Sequence, residues 1–368
     1  MADMADKAAL IGVVGTVGVP ARYGGFETLA EQLARNIDAD QARLLIYCQK
    51  SAYAREERSA VFANHTRCFV PLSANGVQSM AHDALAMLHA ALIARVDVLL
   101  VLGTSGAWAL PLARLLRPSM RVVTNIDGLE WRRAKYGRPA KMVLKVLEWL
   151  AVKASHRVIA DNAALLPIVS AIHRIEPVMI AYGGDHIMVP PAPGPAPAGH
   201  WLAIARIEPE NNCAMILEAA ALAGVPLIFV GNWAANDYGR ELKSRWGRSP
   251  GLTLLDPIYE QAALAQLRQS AVGYVHGHSV GGTNPSLVEA LFCTDRVLAF
   301  DCAFNRATLH EEGAFFDSVA TLAATLAQPD SGTIPVAALQ SLRNRYLWRS
   351  ITGDYLRVTS LTPPGSGA

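Results

Sequence analysis

Short runs of aliphatic and β-branched residues alternate with segments whose apolar positions recur every three or four residues. In the first half the runs are "LIGVVG" (10–15), "RLLIYC" (43–48), "VDVLLVLG" (96–103), "RVVTNI" (121–126) and "RVIAD" (157–161). Between the first two, Phe26, Leu29, Ala30, Leu33 and Ile37 share one face of a helix. The uncharged stretch 98–113 contains Gly103, Ser105, Gly106 and Pro111, which predicts strand, loop and helix rather than a membrane span. Strands that are apolar throughout belong in a parallel sheet covered by helices on both faces. "MVPPAPGPAPAG" (188–199) breaks the pattern, because its prolines can continue neither a helix nor a central strand. The pattern then restarts with "WLAIAR" (201–206), "LIFVG" (227–231), "LTLLD" (252–256), "AVGYV" (271–275) and "RVLAF" (296–300). One aromatic-rich helix is expected around 336–358, packing across the domain boundary.

The fold predicted is α/β, with two doubly wound, Rossmann-like domains facing a central cleft. The expected divisions are a first domain at 1–187, a Pro-rich linker at 188–199 and a second domain at 200–340. A crossover helix at 341–360 returns to the first domain, and 361–368 form a tail. At 368 residues the chain exceeds one ordinary core. Open parallel sheets bind ligands beyond the carboxyl ends of their strands, here in the cleft.

A hydrophobic content of 52% against 17% charged residues describes a folded chain, not a disordered one. The net charge of +2 says little, but its distribution says more. Through residue 199 there are 21 Lys+Arg against 16 Asp+Glu, net +5; the remainder has 12 against 15, net −3. The first half would favour an anionic surface, or simply present a solvated basic face. The cysteines at 48, 68, 213, 293 and 302 form no C-x-x-C, which suits a reducing cytoplasm. "AALIGVVGTVGV" superficially resembles a signal-peptide core, yet Asp3 and Asp6 precede it and turn signals follow, so a buried strand is predicted.

Gly12, Gly15, Gly18, Gly24 and Gly25 run from the first strand to the start of the first helix, where backbone amides can approach an anion. The same glycines also fit a tight turn without a ligand. A dinucleotide site would want a carboxylate at the end of the second strand, and "IYCQK" has none. Asp38 and Asp40 sit on the opposite edge, so a metal role for them is disfavoured. His276 and His278 have metal-like spacing but no evident third ligand. After Trp131, Arg132, Arg133, Lys135, Arg138, Lys141, Lys145, Lys153 and Arg157 are opposed only by Glu148, a pattern that suits anionic lipid or a solvated face equally. Arg206 ends a strand and is placed to neutralise a diphosphate, or to make an ordinary surface ion pair.

Four ordered blocks carry a resemblance: "GVPARYGGFETLAEQLA" (18–34), "TNIDGLEWRR" (124–133), "ARIEPENN" (205–212) and "HGHSVGGTNPSLVEAL" (276–291). Together they are similar to family-four glycosyltransferases of the GT-B fold, above all to a bacterial rhamnosyltransferase-like subgroup with a signature N-terminal domain. The likeness runs from about residue 9 to about 358. It implies a retaining transferase without metal or other cofactor, whose second domain binds a nucleotide-sugar donor and whose first binds the acceptor. Gly281, Gly282, Thr283, Asn284, Pro285 and Ser286 would then present donor-binding amides and side chains, and Glu289 would accept from the ribose hydroxyls. Arg206 would hold the diphosphate and stabilise the leaving group, with Gly24 and Gly25 brought against it on closure. Asp127 and His278 join Arg206 as expected catalytic residues. Arg22, Tyr23, Glu130, Arg132 and Arg133 fall on the acceptor side.

Three positions depart from that family pattern. Gly281 stands where the family has a Glu, Asn211 where it has a diphosphate-binding Lys, and Ile126 where a His precedes Asp127. The resemblance further implies dTDP-rhamnose as first donor and a glycan or lipid-linked acceptor in surface polysaccharide synthesis. No nucleic-acid partner is expected. Location would be cytoplasmic, with peripheral contact to anionic membrane through 131–157. The alternatives are a catalytically silent sugar-nucleotide-binding protein and, less favoured, an NAD-dependent oxidoreductase or epimerase.

Overall fold

The computed structural model describes residues 8–22, 24–126, 128–133, 136–195 and 199–361. Two compact units divide the chain. One comprises Met1–Asp161, Leu165–Ala181 and Trp348–Ala368; the other comprises Asn162–Ala164 and Tyr182–Leu347.

In the first unit the apolar runs become β1 (Ala9–Val14), β2 (Ala42–Gln49), β5 (Val98–Leu102), β6 (Arg121–Asn125) and β7 (Arg157–Ala160). The remaining strands are β3 (Val61–Phe62), β4 (His65–Val70) and β8 (Val178–Met179). The helices are α1 (Gly25–Asn36), α2 (Ser79–Leu92), α3 (Leu110–Leu116), α4 (Arg138–Ala154) and α5 (Leu165–His173). The sheet order is β3-β4-β2-β1-β5-β6-β7-β8, parallel except for the β3–β4 pair. Every residue of β5 is buried, as a central parallel strand requires. Strand order reverses between β1 and β5, which pair from Ile11 opposite Val98 to Val14 opposite Val101.

The hydropathy pattern missed β4 because its inward positions are polar. His65 is buried and accepts the Leu44 amide on Nδ1 at 3.2 Å, while its Nε2 meets the Ile37 carbonyl at 2.9 Å. Arg67, also buried, donates to the carbonyls of Ser59, Val19 and Glu57 at 2.8, 2.9 and 2.6 Å. Its guanidinium stacks 5.0 Å from the Phe69 ring centre. A planar fork can serve three carbonyls at fixed angles, which an ammonium cannot.

The second unit contains β9 (His200–Ile204), β10 (Leu227–Val230), β11 (Leu252–Leu255), β12 (Ala271–His276), β13 (Val297–Phe300) and the three-residue β14 (Ala314–Phe316). Their order is β11-β10-β9-β12-β13-β14, all parallel. The helices are α6 (Cys213–Ala223), α7 (Asp237–Trp246), α8 (Gln261–Ser270), α9 (Pro285–Ala290), α10 (Ala303–Leu309), α11 (Val319–Leu326) and α12 (Val336–Arg345). Here the order reverses between β9 and β12. The described part of the Pro-rich stretch is fastened to α8: Ala192 donates to the Ala262 carbonyl at 2.9 Å, and the Gln266 amide bonds Gly194 and Pro195 at 3.1 Å.

The single helix expected over 336–358 is two, α12 and α13 (Trp348–Thr359). Tyr346 causes the break. Its hydroxyl donates to the Thr308 carbonyl at 2.7 Å and its own carbonyl accepts the Gly184 amide at 2.8 Å, so it turns into the second unit. α13 belongs to the first unit, where it packs on α1 and where Tyr355 accepts from the Asn125 amide on β6 at 2.7 Å.

Arg67→Leu strips three buried carbonyls of their donor and is expected to cost about 3 kcal/mol or more, at roughly 1–3 kcal/mol per unmade bond. Urea unfolding should register it, and Arg67→Lys should recover only part. A loss within 0.5 kcal/mol, the range of neutral surface changes, would discard the account.

Candidate functional site

The reversal of strand order in a doubly wound sheet leaves a crevice, because the loops from the two adjacent strands run to opposite sides. In the second unit those loops follow β9 and β12, and they hold the "ARIEPENN" and "HGHSVGGTNPSLVEAL" segments.

Polar bonds stitch the two loops together. Asn211 is buried; its Nδ2 donates to the Arg206 carbonyl at 2.6 Å and its Oδ1 meets Nδ1 of His278. With Nδ2 engaged as donor, Oδ1 is the acceptor, so Nδ1 of His278 carries the hydrogen. Asn212 donates to the Gly277 carbonyl at 2.8 Å, and Ser279 bonds the Glu210 carbonyl through amide (3.0 Å) and hydroxyl (2.8 Å). Gly277 has no alternative here: a Cβ would lie 2.2 Å from the Asn211 carbonyl oxygen. Gly281 adopts φ +106°, a conformation that side chains rarely take.

Arg206 contrasts with these buried neighbours. Its side chain is exposed at the end of β9, with no hydrogen-bond or ion-pair partner among the described residues. Asn284 caps α9: its Oδ1 accepts from the Ser286 amide at 3.1 Å and hydroxyl at 2.8 Å, with Pro285 at the first helical position. Thr283 is buried and accepts from Asn162 at 3.3 Å. The same Asn162 amide reaches the Phe304 carbonyl and the Thr308 hydroxyl, each at 3.1 Å.

Glu289 is not a lone carboxylate. It pairs with Arg268 of α8 and lies 3.4 Å from Nε2 of His186. Burial pushes its carboxyl up, but the His186 hydrogen bond and the Arg268 charge outweigh this and hold it below the ordinary glutamate value. Neither partner was a sequence expectation. Arg268 carried a signal, since it shares the inward stripe of α8 with Leu264 and Leu267. Beside this pair, Arg268, Tyr274 and Ser286 line a cavity of about 10 Å³, room for one water and not for a nucleotide.

His276 is buried and stacks on Tyr274, with ring centres 6.2 Å apart. Burial, and His278 beside it, hold it well below the ordinary histidine value, so it is neutral at pH 7 and contributes no charge to anion binding. Among the described residues, no group of three or more His, Cys, Asp or Glu is placed to hold a metal ion.

In the first unit, the loop after β1 is held by carboxylates. The Ala21 amide donates to Glu31 at 2.6 Å and the Arg22 amide to Glu27 at 3.4 Å. Gly24, at φ 146°, caps α1 without a side chain, and Gly25 opens the helix. Arg22 forms an exposed ion pair with Glu57 at 2.8 Å. The loop after β5 is fixed by Ser105, whose hydroxyl donates to buried Asp83 at 2.6 Å. Glu130 pairs with Arg133 at 3.2 Å, and exposed Arg132 lies 5.3 Å from the Trp131 ring. Trp131 donates to buried Glu148 at 3.0 Å, and Glu148 bonds His173 at 2.8 Å, so the turn at 130–133 is tied to α4 and α5. Tyr23 and Asp127 lie outside the described residues. The end of β2 presents Cys48 and Gln49, with no carboxylate for a dinucleotide ribose.

The comparisons agree with this architecture. Residues 9–185 match the family described as "Domain of unknown function (DUF1972)". No curated protein matches the chain. A sucrose-phosphate synthase from Thermosynechococcus elongatus is similar at a TM-score of 0.75 and 15% identity, over 95% of this chain and 98% of that one. HepE from Anabaena, in complex with UDP-glucose, gives 0.69 at 14% identity, over 95% and 99%. An E. coli trehalose-6-phosphate protein bound with UDP-2-fluoro glucose gives 0.67 at 12%, over 96% and 99%. The chain has the GT-B fold. At such identities the likeness establishes the architecture alone. No helix among the described residues is long and apolar enough to cross a membrane.

Removing one member of a buried ion pair strands the other, so Arg268→Leu is expected to cost about 3–5 kcal/mol in urea unfolding. Glu289 has a lowered folded value; its contribution is therefore present above the ordinary value of 4.5 and is lost as pH falls through the lowered one. The stability advantage of the native chain over Glu289→Gln should accordingly shrink below about pH 4.5. A constant difference from neutral pH downward would assign that advantage to packing instead.

Proposed function

We propose that the chain is a retaining glycosyltransferase of the family-four, rhamnosyltransferase-like type. It would move a sugar from a nucleoside diphosphate to a glycan or lipid-linked acceptor in bacterial surface polysaccharide synthesis, in the cytoplasm and against the inner membrane face. The observation that carries this reading is the exposed, unpaired Arg206 beside the glycine loop 277–282 at the strand-order reversal of the second sheet. Solved neighbours of the same fold hold UDP-glucose and UDP-2-fluoro glucose, which supports an activated sugar as donor.

In this reading Arg206 pairs with the diphosphate and stabilises the charge that develops as the sugar–phosphate bond breaks. The acceptor oxygen forms its bond to the anomeric carbon on the face the phosphate leaves, and its proton passes to a phosphate oxygen. Configuration is retained without an enzyme nucleophile. Asn284 and Ser286 would contact the donor from the start of α9, and Glu289 would accept from the ribose with its orientation set by Arg268 and His186. Gly281 leaves space beside His278, where a Cβ would lie 3.4 Å from Nε2. That space favours a donor sugar different from those that the family's Glu would bind, and dTDP-rhamnose is the first candidate. Gly24 and Gly25 would contact the donor, and Asp127, with the acceptor-side residues Arg22, Tyr23, Glu130, Arg132 and Arg133, would serve the acceptor. No metal or other cofactor takes part.

A second reading has one observation in its favour. Asn211 stands at the position of the expected Lys and faces inward, so no second cation joins Arg206 from that position, which would suit a protein that binds the donor without turning it over.

Thermal-shift measurement against UDP-, GDP-, dTDP- and ADP-linked sugars should give a selective rise with one nucleotide, amounting to about 2.7 kcal/mol of stabilisation at 100-fold excess over Kd. No rise with any of them would end the reading. Arg206→Ala touches no partner that the fold uses, so its melting temperature should be unchanged. Its turnover should fall by about 2–4 kcal/mol, roughly 30- to 1000-fold. Donor binding with no turnover on any acceptor would favour the silent alternative.

A further inference from the structure

Asn162 is buried just past β7, in a three-residue excursion, Asn162–Ala164, that lies in the second unit although β7 before it and α5 after it lie in the first. One neighbour fixes its orientation. The Ala164 amide donates to Oδ1 at 2.9 Å, and an amide N–H can only donate, so the NH2 group is the one that faces the other way. There Nδ2 meets three oxygens: the Phe304 carbonyl and the Thr308 hydroxyl, each at 3.1 Å, and the Thr283 hydroxyl at 3.3 Å. Thr308 is itself pinned. Its hydroxyl donates to the Phe304 carbonyl at 2.9 Å, and its carbonyl accepts from buried Tyr346 at 2.7 Å.

The amide has two hydrogens for these three acceptors. Phe304 and Thr308 alone would satisfy it, so the buried scaffold does not require Thr283. The loop does require an anchor. From Ser279 to Ser286, Thr283 is the one buried residue, and Gly281 and Gly282 stand between it and Ser279. Ser279 is bonded to the Glu210 carbonyl on one side of the glycine pair, and Thr283 to Asn162 on the other. Glycine loses more backbone freedom on ordering than any other residue, and a loop ordered before its ligand arrives spares that loss on binding. Asn284, which caps α9, follows Thr283 directly, so the same anchor sets where the first turn of α9 begins.

We propose that Asn162 is a positioning residue for the donor loop, holding the glycine pair 281–282 in its binding conformation through Thr283. What the loop binds rests on the transferase reading; the latch itself does not. The test compares hydrogen exchange of the 280–288 amides, with no ligand present, in the native full chain, in Asn162→Ala, in Thr283→Val and in the double variant. Each single variant should exchange about tenfold faster in this segment, the scale of one lost hydrogen bond. The double variant should be no faster than the singles, because both remove the same bond. Thr283→Ser keeps the hydroxyl and should exchange as the native chain does. Thr283→Val leaves both Asn162 hydrogens their acceptors at Phe304 and Thr308, so it should fold where Asn162→Ala does not. Unchanged exchange in Thr283→Val overturns the proposal, as does acceleration spread over the whole second sheet, or simple addition in the double variant. Calorimetry with UDP-, GDP-, dTDP- and ADP-glucose reads the consequence for binding. The one that binds the native chain should bind Asn162→Ala about tenfold more weakly, and equal affinity overturns the positioning role. Exchange as expected, with none of the four bound by the native chain, overturns the transferase reading and not the latch.

Discussion

Asn211 answers two buried polar demands with one side chain: its amide nitrogen serves the Arg206 carbonyl and its oxygen serves His278. The candidate site depends on that arrangement. The loops that leave β9 and β12 diverge, and diverging loops expose backbone groups that must be paired or hydrated. Here the pairing is internal, completed by Asn212 on Gly277 and Ser279 on Glu210. Because the buried groups of both loops are bonded to each other, the cation at Arg206 remains directed outward. A cation carried on a backbone that is tied to the glycine loop suits an anionic ligand, since the loops themselves need little further ordering on binding.

Glu289 shows the same economy in reverse. A carboxylate that largely buried would rise in pKa and risk losing its charge, but Arg268 and His186 keep it ionised. A carboxylate has about four acceptor positions, so two contacts do not exhaust it. The feature read as a ligand group is thus also part of the scaffold. Its replacement disturbs stability and binding together, which is why Arg206 is the cleaner probe of function.

Much of the fold was legible because parallel strands buried on both faces must be apolar along their length, and ten of them read so directly. β3, β8 and β14 were too short to show a period. β4 was hidden by His65 and Arg67, whose inward burial rests on hydrogen bonds that span the chain and leave no local trace. The helix break at Tyr346 has a similar origin, since a long-range bond to Thr308 decides it. At the site, glycines and the strand-end arginine were visible as sequence because their roles depend on local backbone. Arg268 and His186 were not, since they reach Glu289 across distances in the chain that no motif encodes.

Two of the three positions that depart from the resembled pattern meet at one side chain. Gly281 and Asn211 both abut His278: Asn211 through its hydrogen bond, Gly281 through the 3.4 Å that would separate a Cβ from Nε2. Both side chains are neutral. Neither therefore puts an uncompensated charge beside the buried imidazole. A neutral amide bonded to the imidazole then holds the ring in one tautomer. A ring held in this way is part of the frame of both loops, so its replacement would disturb the segments after β9 and β12 together.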